Sequence, residues 1–472
     1  MSENFVFNPN KRGVFIPSEQ GLNGKNFRTV KGELGLLLPE NMANRIEREG
    51  IRHPGEIGKI VNGEDSITCF GYSEQHGKTL GYYDLCLEQQ PLSLVESRDY
   101  VDLATNIGPF QNVLPFITAP MDSIMGTDGN FAREFVKVDD QSKPRGVACL
   151  PRANNYKEHL NNIELAKESR ENNYPWIFSI KMDDIAKEGS EILNSYNAAR
   201  ELVENGAKMI LIDTAQGSQK RIGVLAKNIQ DNLGVPVIVG SIGSYKAAKE
   251  FYTEYGLRYF RCGVGPGANC TTTTTTGVGY PQASLINEVS GLPGVTVIAD
   301  GGLGTQVSKE YSVNSEGELV KRESYPIFKN IPIALALNGN PKNSKVVLMM
   351  GGSIAGTLQS PKEFLDVDIY GNTFVYVDGQ ASDYYARRAE KFDFNGKTPL
   401  SEGVRRKILV HTGDTEEGYA GESIQDRINR IAGACKSSFS YAGSFTLVEF
   451  YENSRLVVTT GGFTENQAKP RV

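Results

Sequence analysis

The chain has 472 residues, 39% of them hydrophobic and 22% charged, and 56 acidic side chains outnumber 50 basic ones for a formal net charge of −6. That balance gives no basic footprint for nucleic acid or an anionic lipid surface, and no apolar run reaches the length of a membrane span. Met1-Ser2-Glu3-Asn4 lacks the basic-then-apolar form of a secretory signal, and the six cysteines show no CxxC spacing, so a reducing cytoplasm is the expected compartment.

Residues 1–82 are polar and glycine-rich, with one helix-like piece over Pro39–Glu49, and read as an N-terminal extension. Eight short apolar runs follow, rich in β-branched and aromatic residues: Phe116–Ala119, Gly146–Leu150, Trp176–Ile180, Met209–Ile212, Val235–Val239, Tyr259–Val264, Val295–Ala299 and Val346–Met350. Helical patterns lie between many of them. One is predicted over 188–205, ending at Gly206; another over 244–255 opens on Ser244, a good N-cap, and stops before Gly256. Ile331–Leu337 is helix-like as well. Eight strands with intervening helices predict an α/β fold, a (β/α)8 TIM barrel over residues 83–472, with chemistry at the C-terminal strand ends. A doubly wound open sheet is the structural alternative. Extra material near 305–325 follows the seventh strand, where a lid, a subunit contact or a solvated hairpin are all open, and a flap near 376–403 follows the eighth.

The stretch with most chemical content begins at Arg261. The sixth strand breaks into Gly263, Gly265 and Gly267 and delivers Cys270 into a run of six threonines that ends at Gly277-Val278-Gly279-Tyr280-Pro281-Gln282. Most free cysteines are small buried hydrophobes; a loop this polar and glycine-rich favours a nucleophile instead. Four histidines, none paired at ligand spacing, speak against a histidine triad or a metal hydrolase. Asp300-Gly301-Gly302 ends the seventh strand and Gly351-Gly352-Ser353 follows the eighth, in the two loops that commonly bind phosphate in such barrels.

In this order, the Gly-x-Gly-x-x-Cys loop, its hydroxyl run and the Gly-x-Gly-x-Pro-Gln that follows resemble the IMP dehydrogenase/GMP reductase family. The resemblance covers roughly residues 83 to 466 and implies an NAD- or NADP-dependent oxidoreductase of purine nucleotide monophosphates. Cys270 would add to C2 of a 6-oxopurine, and Thr272 would help activate the incoming or departing group. Gly302, Gly352 and Ser353 would hold the phosphate, Asp300 the ribose, and Met121 would pack on the purine. Asp213, Thr214, Arg261 and Gly263 would take the nicotinamide half of the dinucleotide. Tyr376, Gly379 and Glu402 of the flap would face the purine. A potassium ion held around Gly265, Gly267 and Cys270, and a homotetramer, are further family expectations.

The direction of reaction stays open at this stage. The dehydrogenase reading takes IMP, NAD and water to XMP and NADH, with Lys391, or Arg387 or Arg388 nearby, in place of the family's flap arginine. A GMP reductase using NADPH would use Asp383 instead, and a non-catalytic nucleotide-binding paralogue is the third possibility. Several positions depart from the family pattern: Ala268, Ser241, and Leu150-Pro151-Arg152 at the end of the second strand. The regulatory nucleotide-binding insert of many dehydrogenases is missing, because Leu150 and Trp176 lie too close in sequence to admit it.

Overall fold

The computed structural model describes residues 80–138, 146–182, 184–186, 192–304, 328–369, 371–389, 400–413 and 420–459, together with the backbone of a few short strands before residue 40 and within 309–323. The helix expected over Pro39–Glu49, Lys391 and the last residues of the tail lie outside the described residues.

Eight parallel strands form one sheet: β1 (Phe116–Thr118), β2 (Ala148–Leu150), β3 (Trp176–Ile180), β4 (Ile210–Asp213), β5 (Val237–Ile242), β6 (Tyr259–Cys262), β7 (Thr296–Asp300) and β8 (Lys345–Met350). Neighbours pair in sequence order, and β8 pairs with β1. The seam between β1 and β2 closes through the amide of Val147 on Phe116 O at 2.9 Å and that of Thr118 on Val147 O at 3.1 Å. This is the (β/α)8 barrel, and the open doubly wound alternative is excluded by that closure.

The helices fall where the fold needs them. Those following β1 to β7 are α1 (Asn130–Val136), α2 (Tyr156–Asn172), α3 (Ser195–Asn205), α4 (Lys220–Leu233), α5 (Tyr245–Glu254), α6 (Gln282–Ser290) and α7 (Asn330–Ala336). Ser244 caps α5 as expected, its hydroxyl accepting from the Ala247 amide. The helix expected over 188–205 is shorter: Asn194 caps α3 at Ser195, and Ile192–Leu193 pair with Ile185–Ala186 as a small ladder. A capping side chain that accepts from the third helical amide fixes where helical geometry begins, and apolar periodicity upstream does not override it.

Strand residues alternate between two apolar environments. Ile117, Cys149, Ile177, Leu211, Ile238, Ile298 and Val347 point into the barrel, where Ile107, Phe110 and Val113 of a hairpin close one end. Phe116, Leu150, Trp176, Phe178, Val297 and Leu348 pack outward under the helices. Burial on both faces is why these strands read as continuous apolar runs. At roughly 25 cal/mol per Å² of apolar area, these two cores dominate the fold's stability.

After β8 the chain makes an antiparallel three-stranded sheet from β9 (Leu365–Val367), β10 (Thr373–Asp378) and β11 (Arg405–His411), with α8 (Asp383–Arg388) between the last two. Helix α9 (Ile424–Tyr441) returns to the barrel wall, and Leu456–Val458 pairs antiparallel with Leu85–Leu87. The material after β7 forms a two-stranded antiparallel hairpin, Lys309–Val313 with Leu319–Glu323. No described helix is long and apolar enough to cross a membrane.

Candidate active site

A cavity of about 330 Å³ opens at the C-terminal ends of the barrel strands. Its walls come from Met121 after β1, Arg152 after β2, Asp213 and Thr214 at the end of β4, the loop from Gly263 to Thr272, the Asp300–Gly304 turn and Gly351–Ser353. That volume lies within the range of small-ligand sites.

The cysteine loop is laid directly on the turn that ends β7. Gly263 and Gly301 have φ of +146° and +84°, and both are crowded. A Cβ on Gly263 would meet Asp300 O at 2.3 Å, and one on Gly301 would meet Gly267 N at 2.7 Å. Only glycine tolerates this approach. The loop then curls so that the Cys270 amide donates to Gly267 O at 2.9 Å, while the half-buried thiol donates to Thr272 Oγ1 at 3.3 Å. Three other thiols contrast with it. Burial pushes Cys149 and Cys435 up to about 12 and raises Cys262 as well, so these stay protonated and inert.

Across the cavity, the Gly351–Ser353 turn is tightened by the Ile354 and Ala355 amides, which donate to Gly351 O at 3.0 and 3.1 Å. Ser353 Oγ is buried and has no hydrogen-bond partner among the described residues. Arg427 of α9 supports the turn from behind: it donates to Ser353 O at 3.1 Å and pairs with Glu422 at 2.5 Å. A partnerless hydroxyl is costly inside a protein unless a ligand completes it.

Four charged side chains alternate along the cavity floor. Arg152 Nη1 donates to Asp213 Oδ2 at 2.7 Å and to Asp213 O at 2.8 Å; Arg261 donates to Asp213 Oδ1 and, through Nε, to Asp300 Oδ2 at 2.7 Å. Burial works against the Arg261 charge, but Asp300 and Asp213 together outweigh it and raise its pKa. In Arg152, burial is likewise overcome, chiefly by Asp213.

Residues 79–313 match the family described as IMP dehydrogenase / GMP reductase domain. The chain is 29% identical over 286 residues to an inosine-5'-monophosphate dehydrogenase of Cryptosporidium parvum, covering 58% of this chain and 60% of that protein. It is 30% identical over 275 residues to those of Helicobacter pylori and Streptococcus pyogenes, covering 57% of this chain and 49% and 48% of theirs. The chain belongs to the IMP dehydrogenase/GMP reductase family. It spans about half to three-fifths of the length of these relatives.

For a member of this family, the structure brings together most of the residues that the sequence singles out. Cys270, Thr272, Met121, Asp300, Gly302, Gly352, Ser353, Gly379, Glu402, Asp213, Thr214, Arg261, Gly263, Gly265 and Gly267 all line the one cavity. Tyr376 and Asp383 do not. Tyr376 alternates with the buried Val375 and Val377 on β10, and its hydroxyl donates to Asp366 at 3.0 Å on the outer face of the flap sheet. Asp383 opens α8 behind its cap Ser382. Arg388, a candidate stand-in for the flap arginine, is held by both oxygens of Asp122 at 2.8 and 2.9 Å and also by Asp378. That ties α8 to the end of β1. Among the described flap residues, the cavity lining contains no arginine or lysine. No group of three His, Cys, Asp or Glu side chains among the described residues is arranged to hold a metal.

Arg152, which the sequence shows only as a departure from the family pattern, and Asn269 and Gln380, to which it gives no role, also line the cavity. Asn269 sews the cysteine loop to the flap: Nδ2 donates to Val377 O at 2.8 Å and Val404 O at 3.1 Å, and Val404 N donates to Asn269 O at 3.0 Å. Its position beside the cysteine was the only available signal. Gln380 donates to Pro120 O, closing the flap onto β1.

Proposed function

We propose that the chain is a purine nucleotide oxidoreductase of the IMP dehydrogenase type, taking IMP, NAD and water to XMP and NADH. The observation that carries this reading is the half-buried Cys270 thiol in the same cavity as the partnerless Ser353 hydroxyl. A nucleophile and an unfilled phosphate donor share one cavity.

Cys270, as thiolate, adds across the C2=N3 bond of the 6-oxopurine, forming an S–C2 bond while the π pair passes to N3, which takes up a proton. Loss of the C2 hydrogen as hydride oxidises that carbon by two electrons and leaves a thioimidate. Water then replaces sulfur at C2, giving XMP and returning the thiol. Splitting the reaction this way replaces one hard step with two easier ones. Thr272, 3.3 Å from the sulfur, orients the group that enters or leaves. Gly302, Gly352 and Ser353 take the phosphate, Asp300 the ribose hydroxyls, and Met121 packs on the base. Glu402 and Gly379 meet the purine edge from the flap.

NAD, when bound, supplies the hydride acceptor. The residues present suit it: Asp213 offers carboxylate oxygens to ribose hydroxyls, with Thr214, Arg261 and Gly263 beside it in the same cavity. A potassium ion would find main-chain oxygens around Gly265, Gly267 and Cys270, the donor type an alkali cation accepts, with threonine hydroxyls beside them. A cytoplasmic homotetramer belongs to the same reading. Lys391 remains the candidate for activating water.

One observation favours the reductase direction, GMP and NADPH to IMP and ammonia: Arg388 is committed to Asp122 and Asp378 rather than to the cavity. Stopped-flow absorbance separates the readings. Growth of NADH with IMP and NAD supports the dehydrogenase; consumption of NADPH with GMP overturns it for the reductase. IMP binding without turnover of either pair points to a non-catalytic paralogue.

A further inference from the structure

Asp213 is an unusual carboxylate for the task just assigned to it. Its side chain is only 2% exposed and both oxygens are already taken, one by Arg261 and one by Arg152. Arg152 comes from the end of β2, where the chain departs from the family pattern, and makes a second bond to the Asp213 carbonyl. One guanidinium thus fixes both the carboxylate and the strand end that carries it. Besides Asp213, the Arg152 guanidinium lies over the Tyr385 ring, 5.8 Å from its centroid, and its buried Nε has no hydrogen-bond partner among the described residues.

The electrostatics support the same assignment. Along the row Arg152, Asp213, Arg261, Asp300, each inner member has an opposite charge on both sides, and the four sum to zero. Without Arg152 the row carries a net negative charge, and Asp213 Oδ2 loses the donor that sets its direction. Still bonded to Arg261 at Oδ1 but without the Arg152 donor at Oδ2, the carboxylate presents that oxygen's hydroxyl-accepting lone pairs less uniquely. Both bonds come from Nη1, and the planar guanidinium fixes their directions more firmly than a freely rotating ammonium does.

We propose that Arg152 is a positioning residue for the dinucleotide subsite, holding Asp213 so that it accepts the ribose hydroxyls on the nicotinamide side. This rests on the reading of Asp213 above. Asp300, on the nucleotide side, keeps its own bond from Arg261 and is not touched by Arg152. Loss of Arg152 therefore weakens one ligand and spares the other.

Calorimetric titration of the full chain tests this in a Cys270→Ala background, where IMP and NAD bind without reacting. Arg152→Met should weaken NAD roughly tenfold or more, as expected for loss of a charged hydrogen bond, and leave IMP within about twofold of the parent. Arg152→Lys should recover part of the NAD affinity, because it restores the charge but not the planar geometry. Thermal midpoints check that the variants fold; if Arg152→Met does not, Arg152→Lys and Arg152→Gln carry the same comparison. Equal weakening of both ligands, or unchanged NAD affinity, overturns the inference while the functional reading stands. A parent that binds neither nucleotide overturns both.

Discussion

The two sides of the cavity are built of different materials. On one side the Gly351–Ser353 turn presents main-chain amides and a neutral hydroxyl, with Arg427 set behind it and bonded to its carbonyl. On the other, Asp213 and Asp300 carry formal charges, neutralised by Arg152 and Arg261. A phosphate dianion brings its own charge and needs only oriented donors. Ribose hydroxyls bring none, so the protein supplies the charge and must keep it balanced before the ligand arrives. Burying carboxylates is tolerable only when each is paired and hydrogen-bonded.

The contrast predicts unequal costs of mutation. Arg261→Met should be the most damaging, because it strips the shared partner from two carboxylates at once. Breaking a buried pair in this way costs roughly 3–5 kcal/mol, which urea unfolding would show as a large fall in the midpoint. A small loss would mean that the row is more hydrated than its geometry indicates.

The buried thiols give a pH test of similar kind. Cys149 and Cys435 sit near 12 when folded, through burial, against about 8.5 in an unfolded chain. Folding therefore holds these protons, and the stability they contribute is complete below about pH 8.5 and is lost as pH rises toward 12. Each contributes a slope of at most about 1.4 kcal/mol per pH unit. Cys435→Ala should flatten part of the alkaline fall in the urea midpoint; an unchanged slope would contradict the burial argument.

Ser353→Ala should be the gentlest for the fold and the most selective for function. Its hydroxyl has no partner to lose, so stability stays level or rises slightly. Affinity for the nucleotide monophosphate should fall by about 1 kcal/mol, or roughly fivefold, with the NAD affinity unmoved. Titration of both ligands measures this, and a matching loss for NAD would erase the distinction between the two sides.

The same contrast separates what was legible in the sequence from what was not. The glycine-built side shows itself in one dimension: Gly263 and Gly301 mark close approaches, and Cys270 follows its glycines by a few residues. The eight strands are legible because burial on both faces leaves uninterrupted apolar runs. The charged side depends on pairs brought together by barrel closure. Arg152 and Asp213 meet from the ends of β2 and β4, with β3 between them, and Arg388 reaches Asp122 only because α8 folds back over β1. Neither pair has a local signature. Tyr376 misled for a smaller reason: alternation along β10 turns its ring outward, and register in the flap is set by pairing with β11.

The proposed chemistry depends on a bond between Cys270 sulfur and purine C2. Acid-quenched samples taken during turnover with IMP and NAD, digested and weighed by mass spectrometry, would show whether that bond forms. The expected result is a nucleotide adduct on the peptide carrying Cys270, absent from Cys270→Ala, whose turnover should fall on the order of 10³-fold or more. Turnover that survives Cys270→Ala, or proceeds with no adduct on the wild-type peptide, would contradict it.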